Sequence, residues 1–445
     1  MLLYVAYAVL FLSFINLFRL VFFSIGSDLY DIRNLRFGLN SNNIFKIKKS
    51  RFDNKRYKSK NYFSKRYYPL VTIIVPAHNE ERVLKRNLLS IINSTYKNVE
   101  LIIVNDSSTD KTKQIALNFQ HRYKNNLKGI KVINVNVRGK AKAMNKGLKY
   151  AHGSLFMCLD ADSALTPNAL KNAVEFFREK SVGALASNVK IIPGKGMLNL
   201  LQRIEYAINY QMKKAEALAR IQYIVGGIGS MYRMKIIRDM GYYDTDTITE
   251  DIDLSMKMIL TYKNKRYIAY DPSMVVFSEA ALTISDLLKQ CNRWKYGRYQ
   301  VFLKRQALFY SKDKGIGRLL SWFYLPYALF AELSFALEPI TIAYIFYLIF
   351  AYGDFSTILG SVFTFCFYTI IEVTGATQAY SFKERLKFAA LAPFAYILIY
   401  ILSFVEYVAT IKGFLSIKKL LDGYKTGVGG CEWSHVERTG ETIAS

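Results

Sequence analysis

From Met1 to about Ile25 the chain is an almost unbroken run of Leu, Val, Phe, Tyr and Ala, interrupted at Ser13, Asn16 and Arg19. A helix of that length crosses a hydrocarbon layer of about 30 Å. The run lacks a basic leading segment and a small-residue cleavage pattern, so residues 1–25 read as a retained membrane helix rather than a signal peptide. Three more apolar stretches come late, Leu319 to Tyr352, Thr357 to Thr377 and Phe388 to Ile411. The first is overlong for one helix and carries Glu332, Glu338 and Pro339, so it reads as one kinked span or as an interfacial helix followed by a shorter span.

Between these membrane-length runs the pattern changes to short apolar blocks separated by amphipathic segments. Val71 to Val75, Val99 to Val104, Val132 to Val137 and Leu155 to Leu159 have the length and β-branching of buried strands. Helical spacing predicts helices over Glu81 to Ile92, Thr109 to Tyr123 and Ala141 to Tyr150. Thr166 followed by Pro167 predicts an N-cap and first helical position for a helix reaching Phe177. Strands alternating with helices imply a mainly parallel sheet with its ligand site at the carboxyl ends of the strands.

Charge divides the chain further. Hydrophobic residues make up 51% and aromatics 15%, yet the formal net charge is +27, so basic and apolar character occupy different stretches. Residues 26–68 read as a basic linker: ten Lys or Arg lie between Lys46 and Arg66, opposed by Asp53 alone. The linker serves either as a solvated connector or as a contact for anionic lipid, and by the positive-inside tendency it puts the middle of the chain in the cytoplasm. No helix-turn-helix, zinc finger or aromatic RNA-binding signature accompanies the charge, so nucleic acid is not the expected partner. Cys158, Cys291, Cys366 and Cys431 are scattered and form neither a zinc pattern nor a disulfide framework.

The candidate chemistry sits where the strands end. The first strand runs into Pro76-Ala77-His78-Asn79-Glu80 and the second into Asn105-Asp106-Ser107-Ser108-Thr109-Asp110, polar groups that suit a base and ribose but also serve as ordinary turn and cap residues. After the third come Arg138-Gly139-Lys140, where glycine and cations opening a helix can hold a diphosphate. The fourth delivers Asp160-Ala161-Asp162, two carboxylates that can share a divalent ion. Further on, Thr249-Glu250-Asp251 offers a base for an acceptor hydroxyl. Gln290-Cys291-Asn292-Arg293-Trp294 joins a planar aromatic to a phosphate-pairing cation.

In order and spacing these motifs resemble the processive branch of glycosyltransferase family 2, which includes hyaluronan, cellulose, chitin and poly-N-acetylglucosamine synthases. The resemblance covers residues 69 to 300 by motif and the membrane segments by layout. It implies a GT-A α/β domain over 69–300, an interfacial segment over 301–318, membrane helices within 319–411 and a tail, 412–445. In the nucleotide-sugar site, Pro76, Ala77, Glu80 and Asp106 would hold base and ribose, Lys140 the diphosphate, and Asp160 and Asp162 a Mg²⁺ or Mn²⁺ ion. Asp251 would be the general base, Gln290, Arg293 and Trp294 would border the donor, and Gly227, Gly229, Glu250 and Trp294 the acceptor. Asn105 departs from the family's pair of adjacent aspartates. The segment Trp433 to Gly440 resembles a gating element found in some relatives.

The function so implied is an inverting, metal-dependent transfer from a UDP-sugar, glucose or N-acetylglucosamine, to a growing polysaccharide or membrane acceptor. The enzyme would be a multi-pass cell-membrane protein with a cytoplasmic catalytic domain. Single transfer to a glycolipid or polyprenyl phosphate is the alternative, and a catalytically silent scaffold a more distant one. Three crossings after residue 317 would leave the tail outside, in conflict with a gating role.

Overall fold

The computed structural model describes residues 2–36, 67–353, 355–376, 379–416 and 440. The basic stretch Lys46 to Arg66 and the tail residues Trp433 to Thr439 lie outside these described residues. The first apolar run forms α1, Leu2–Arg36, and therefore continues well past Ile25. At about 1.5 Å per residue it is about 52 Å long, more than a bilayer needs. The surplus docks on the α/β domain that follows.

That domain is built on eight strands: β1 Val71–Ala77, β2 Val99–Asp106, β3 Gly129–Val135, β4 Leu155–Cys158, β5 Ala164–Leu165, β6 Val182–Ile191, β7 Ser230–Arg233 and β8 Tyr267–Ser278. Their order in the sheet is β3-β2-β1-β4-β7-β6-β8-β5. β1 to β4 are mutually parallel, as the alternating pattern requires, and β6 is parallel to β8. β7 runs antiparallel to both β4 and β6, and β5 antiparallel to β8. The connecting helices are α2 Leu84–Ile92, α3 Thr112–Tyr123, α4 Lys140–Leu148, α5 Ala169–Phe176, α6 Met197–Ala219, α7 Met234–Asp239, α8 Glu250–Tyr262 and α9 Ile284–Lys304.

Both faces of the sheet are covered, which is why its strands are continuously apolar rather than alternating. Val71, Ile73 and Val75 pack with Leu84, Leu88 and Ile91 of α2 and Leu170 and Val174 of α5. On the opposite face, Ile74, Ile102 and Val104 join Met144 and Leu148 of α4 and Ile204, Ala207 and Tyr210 of α6. One local expectation fails. Thr166 is not an N-cap, since α5 starts at Ala169 and the Thr166 hydroxyl donates to the Val275 carbonyl oxygen at 3.1 Å, tying β5 to β8.

α1 seats on α6 through small and polar residues. A methyl placed on Gly26 would lie 2.7 Å from the Ala215 Cβ, so only glycine allows the helices this close. Beside it Ser27 Oγ donates to Gln211 Oε1 at 2.7 Å, and the fully buried Lys214 pairs with Asp31 at 2.6 Å.

After α9 come a π-helical turn Leu319–Tyr324, α10 Leu325–Ser334, a 3-10 turn Phe335–Leu337, α11 Glu338–Tyr352, α12 Ser356–Gly375, α13 Phe382–Ala390 and α14 Ala392–Leu415. Leu319–Tyr352 as one helical run, Ser356–Gly375 and Ala392–Leu415 are each long and apolar enough to cross a membrane. Pro326 and Pro339 lie in the first turns of α10 and α11, just after the π-helical and 3-10 turns that interrupt this run. Its first piece is held to the domain by Glu332, which ion-pairs with Lys295 and Arg298 of α9.

Candidate active site

β1 and β2 pair in register up to Ala77 opposite Asn105, so their polar extensions emerge side by side. There they interlock. Asn79 N–H donates to Ser108 Oγ, Thr109 N–H to Asn79 Oδ1 and Glu80 N–H to Thr112 Oγ1. Pro76 and Ala77 are buried and Glu80 is half-buried. Asp106 is wholly buried: Oδ1 accepts from the backbone N–H of Val137 and Arg138, and Oδ2 from Gly139 at 3.0 Å. Its carboxylate thus holds the loop that opens α4 and fixes where Lys140 begins.

Lys140, the first residue of α4, reaches the end of β4. Its Nζ lies 2.7 Å from Asp160 Oδ1 and 3.1 Å from Glu250 Oε1 at the start of α8. Burial disfavours the ammonium, but Asp160, Glu250 and Asp251 outweigh it and hold the Lys140 pKa well above the usual lysine range. Burial pushes the Asp160 carboxyl up; Lys140 draws it back, while Asp162 and Glu250 add to the rise. Asp162 is buried, and Ser163 Oγ donates to its Oδ1. The turn that carries both aspartates is fastened from α2, because Asn87 Nδ2 donates to the carbonyl oxygens of Asp160 and Ser163, and Arg86 donates to that of Asp162.

Gly227 closes this space. A Cβ there would stand 2.8 Å from Lys140 Nζ, 3.4 Å from Asp251 Oδ2 and 3.9 Å from Asp160 Oδ2. The glycine leaves open the volume between the cation and the two carboxylates. Gly229, with φ +68°, is buried behind it against Val276. The sequence-predicted residues Lys140, Asp160, Gly227, Glu250 and Asp251, drawn from four separate stretches of chain, therefore surround one small polar space.

Gln290, Arg293 and Trp294 are half-buried on α9. With Gly297 they fall at i, i+3, i+4 and i+7, a single helical face. At Gly297 that face meets Thr249, next to Glu250 and Asp251.

This geometry has relatives. Residues 72–241 match the family described as Glycosyl transferase family 2. A poly-beta-1,6-N-acetyl-D-glucosamine synthase of Staphylococcus epidermidis is 30% identical over 319 residues, 69% of this chain and 74% of the relative. The chain belongs to glycosyltransferase family 2. The enzyme of the same name from Staphylococcus aureus is 32% identical over 237 residues, 53% of this chain and 56% of its own. In fold, the family-2 chain is similar to a mannosyltransferase from Pyrobaculum calidifontis, solved in complex with GDP-Man and Mn²⁺, at TM-score 0.55 and 20% identity, over 88% of this chain and 99% of that one. It is a membrane-bound family-2 glycosyltransferase with a GT-A domain.

Several residues of this family-2 site are invisible in the motifs. Arg86 pairs with Glu279 at 2.7 Å, and the same Glu279 oxygen accepts from the Gly440 N–H at 3.1 Å, bringing that tail residue against the domain. Asp244, Asp246 and Asp253 are, among the described residues, the one carboxylate trio close enough to share an ion. Lys304 Nζ already lies 2.8, 2.5 and 2.8 Å from them. Their pairing partner comes from the last turn of α9, fifty residues on, so sequence proximity gives no hint of it.

Proposed function

We propose that this enzyme builds a β-linked N-acetylglucosamine polymer by successive inverting transfers from UDP-N-acetylglucosamine at the cytoplasmic face of a multi-pass membrane domain. The donor sugar and linkage type follow the names of its staphylococcal relatives.

Asp251, half-exposed at the first turn of α8, takes the proton from the acceptor hydroxyl. That oxygen attacks the anomeric carbon from the side opposite the diphosphate, the bond from that carbon to the diphosphate breaks, and the nucleoside diphosphate leaves. Lys140, freed from Asp160 and Glu250, pairs with the departing diphosphate. Asp106 acts indirectly, through the loop it holds. Asp160 and Asp162 offer the hard oxygen donors that Mg²⁺ or Mn²⁺ prefers, and burial, with Asp162 and Glu250 adding to it, leaves the Asp160 carboxylate in need of a positive partner. An ion held by these two aspartates would supply positive charge to offset that of the diphosphate.

The observation that favours a polysaccharide acceptor over a lipid one is a polar stripe on α6. Glu205, Asn209, Lys213 and Glu216 recur at helical spacing on one face, each partly exposed. Lys213 feels the charges of Glu216 and Asp251, which partly offset the lowering of its pKa by burial. Glu205 is pushed up to about 7 by burial and by Glu406 of α14. Glu216 accepts from the Tyr324 hydroxyl, and Lys295 pairs with both Glu332 and Glu406. A track of hydroxyl, amide and charged groups leading from the base toward the membrane helices suits a hydrated sugar chain; acyl tails would leave it unsatisfied.

The test is transfer by detergent-purified protein given radiolabelled UDP-N-acetylglucosamine, UDP-glucose or GDP-mannose with Mg²⁺ or Mn²⁺, with the product sized. The expected result is a high-molecular-weight, N-acetylglucosamine-containing product that needs metal and disappears in Asp251→Asn, while that variant still binds UDP. A single-sugar lipid product would replace the polymer reading, and full turnover by Asp251→Asn would remove the base.

A further inference from the structure

α9 meets the segment that carries Glu250 and Asp251 at consecutive turns. At Gly297 there is no room for a side chain: an added Cβ would lie 2.5 Å from Thr249 Cγ2, 2.7 Å from its Oγ1 and 3.0 Å from its Cβ. One turn on, Gln300 Oε1 accepts the Ile248 N–H at 3.0 Å. At the helix end Lys304 and Arg305 both bind Asp253, two residues past Asp251, at 2.8 and 2.6 Å, and both bind Asp244. Asp253 is 1% exposed and Thr249 5%, so neither can swing away into solvent. Burial disfavours the charged forms of Lys304 and Arg305, yet their hydrogen bonds and ion pairs with the aspartates outweigh it and raise both pKa values above their usual ranges.

We propose that Gly297, Lys304 and Arg305 are positioning residues that clamp the base-bearing turn of α8 onto the helix carrying Gln290, Arg293 and Trp294. The donor-bordering residues and the base then move as one body. Gly297 sets the distance between them, because the contact with Thr249 is backbone against side chain. Lys304 and Arg305 set the rotation of α8, because they grip Asp253 on the turn that presents Asp251. None of the three touches the reacting atoms. The inference rests on Asp251 being the base, so the Asp251→Asn control is run beside it.

The experiment uses the full-length protein in detergent with its lipids, and reads kcat, KM for UDP-N-acetylglucosamine and UDP affinity. Gly297→Ala should lower kcat about 100-fold, the cost of misplacing a catalytic group by roughly an ångström, with UDP affinity unchanged. Repeating the substitution in a Thr249→Ala background should shrink that loss by at least roughly tenfold, as direct contact predicts. Lys304→Met should reduce kcat in the same pattern, and Lys304→Arg should restore most of it. Wild-type kcat in Gly297→Ala, an undiminished loss in the Thr249→Ala background, or UDP affinity falling in step with kcat would each overturn the clamp. Should Gly297→Ala not accumulate as folded protein, the Lys304 pair decides alone. If Asp251→Asn keeps full turnover, it is the base assignment that fails, whatever the clamp variants do.

Discussion

Lys140 ion-pairs with Asp160 across 2.7 Å, joining the first residue of α4 to the end of β4. Asp160 is already pushed up by burial and by Asp162, so this cation is what keeps two neighbouring carboxylates tolerable in the absence of donor. Replacing it with Met should weaken UDP binding by about 1.5–3 kcal/mol, the usual worth of a hydrogen bond to a charged group. Calorimetric titration with UDP and Mn²⁺ measures this. Unchanged affinity would show that the diphosphate is held elsewhere.

Gly227 has no positive φ, so alanine is acceptable to the backbone there. Its methyl would nevertheless stand 2.8 Å from Lys140 Nζ, in the space between that cation and Asp251. Gly227→Ala should therefore keep wild-type thermal stability and lose turnover by about 100-fold, the penalty for roughly an ångström of displacement. Melting temperature and initial rate, measured on the same preparation, check both halves.

Asp271 in β8 is buried, with Oδ2 unpartnered, although Ser273 donates to Oδ1 through both its N–H and its hydroxyl. Burial pushes its carboxyl up to about 6. A raised folded-state pKa means the proton is held more tightly in the folded state, so the stability is present at low pH and is lost as pH rises through about 6. Relative to an unperturbed aspartate the effect approaches about 3 kcal/mol. Asp271→Asn should stabilise the protein at pH 8 and change little at pH 4, as a series of melting curves will show.

Glu384 of α13 pairs with Arg203 of α6, and Gly440 bonds to Glu279, so the chain returns to the catalytic domain's side at both points. As a membrane topology, these contacts predict an even number of crossings between the domain and Glu384 and again between Glu384 and Gly440. Cysteines placed at Gly353, Lys383 and Gly440 should be labelled by an impermeant maleimide from the side opposite the domain, from the domain's side and from the domain's side, respectively.

The strands that carry the site were legible because both sheet faces are buried, leaving β-branched blocks such as Val71 to Val75 with no other reading. Strand ends follow from strands, so Lys140, Asp160 and Asp162 could be found with them. Thr166 misled because Thr-Pro opens helices by local chemistry, whereas here its hydroxyl is claimed by Val275 from a strand more than a hundred residues away. Asp106 could be placed at the site but not given its partners, which are backbone groups of a loop that exists only once β2 and β3 pair. Gly297 and Lys304 act through contacts with Thr249 and the Asp244 group, and no spacing along the chain records a contact between helices.

The seat of α1 on α6 also sets an order of events during synthesis. Asp31 and its partner Lys214 are separated by 183 residues. At about 5–20 residues per second α1 waits roughly 10–40 s before its seat is made. Throughout that interval Gly26, Ser27 and Asp31 lack the α6 residues they pack against and bind. The first helix of the chain therefore becomes part of the domain only after α6 has been translated.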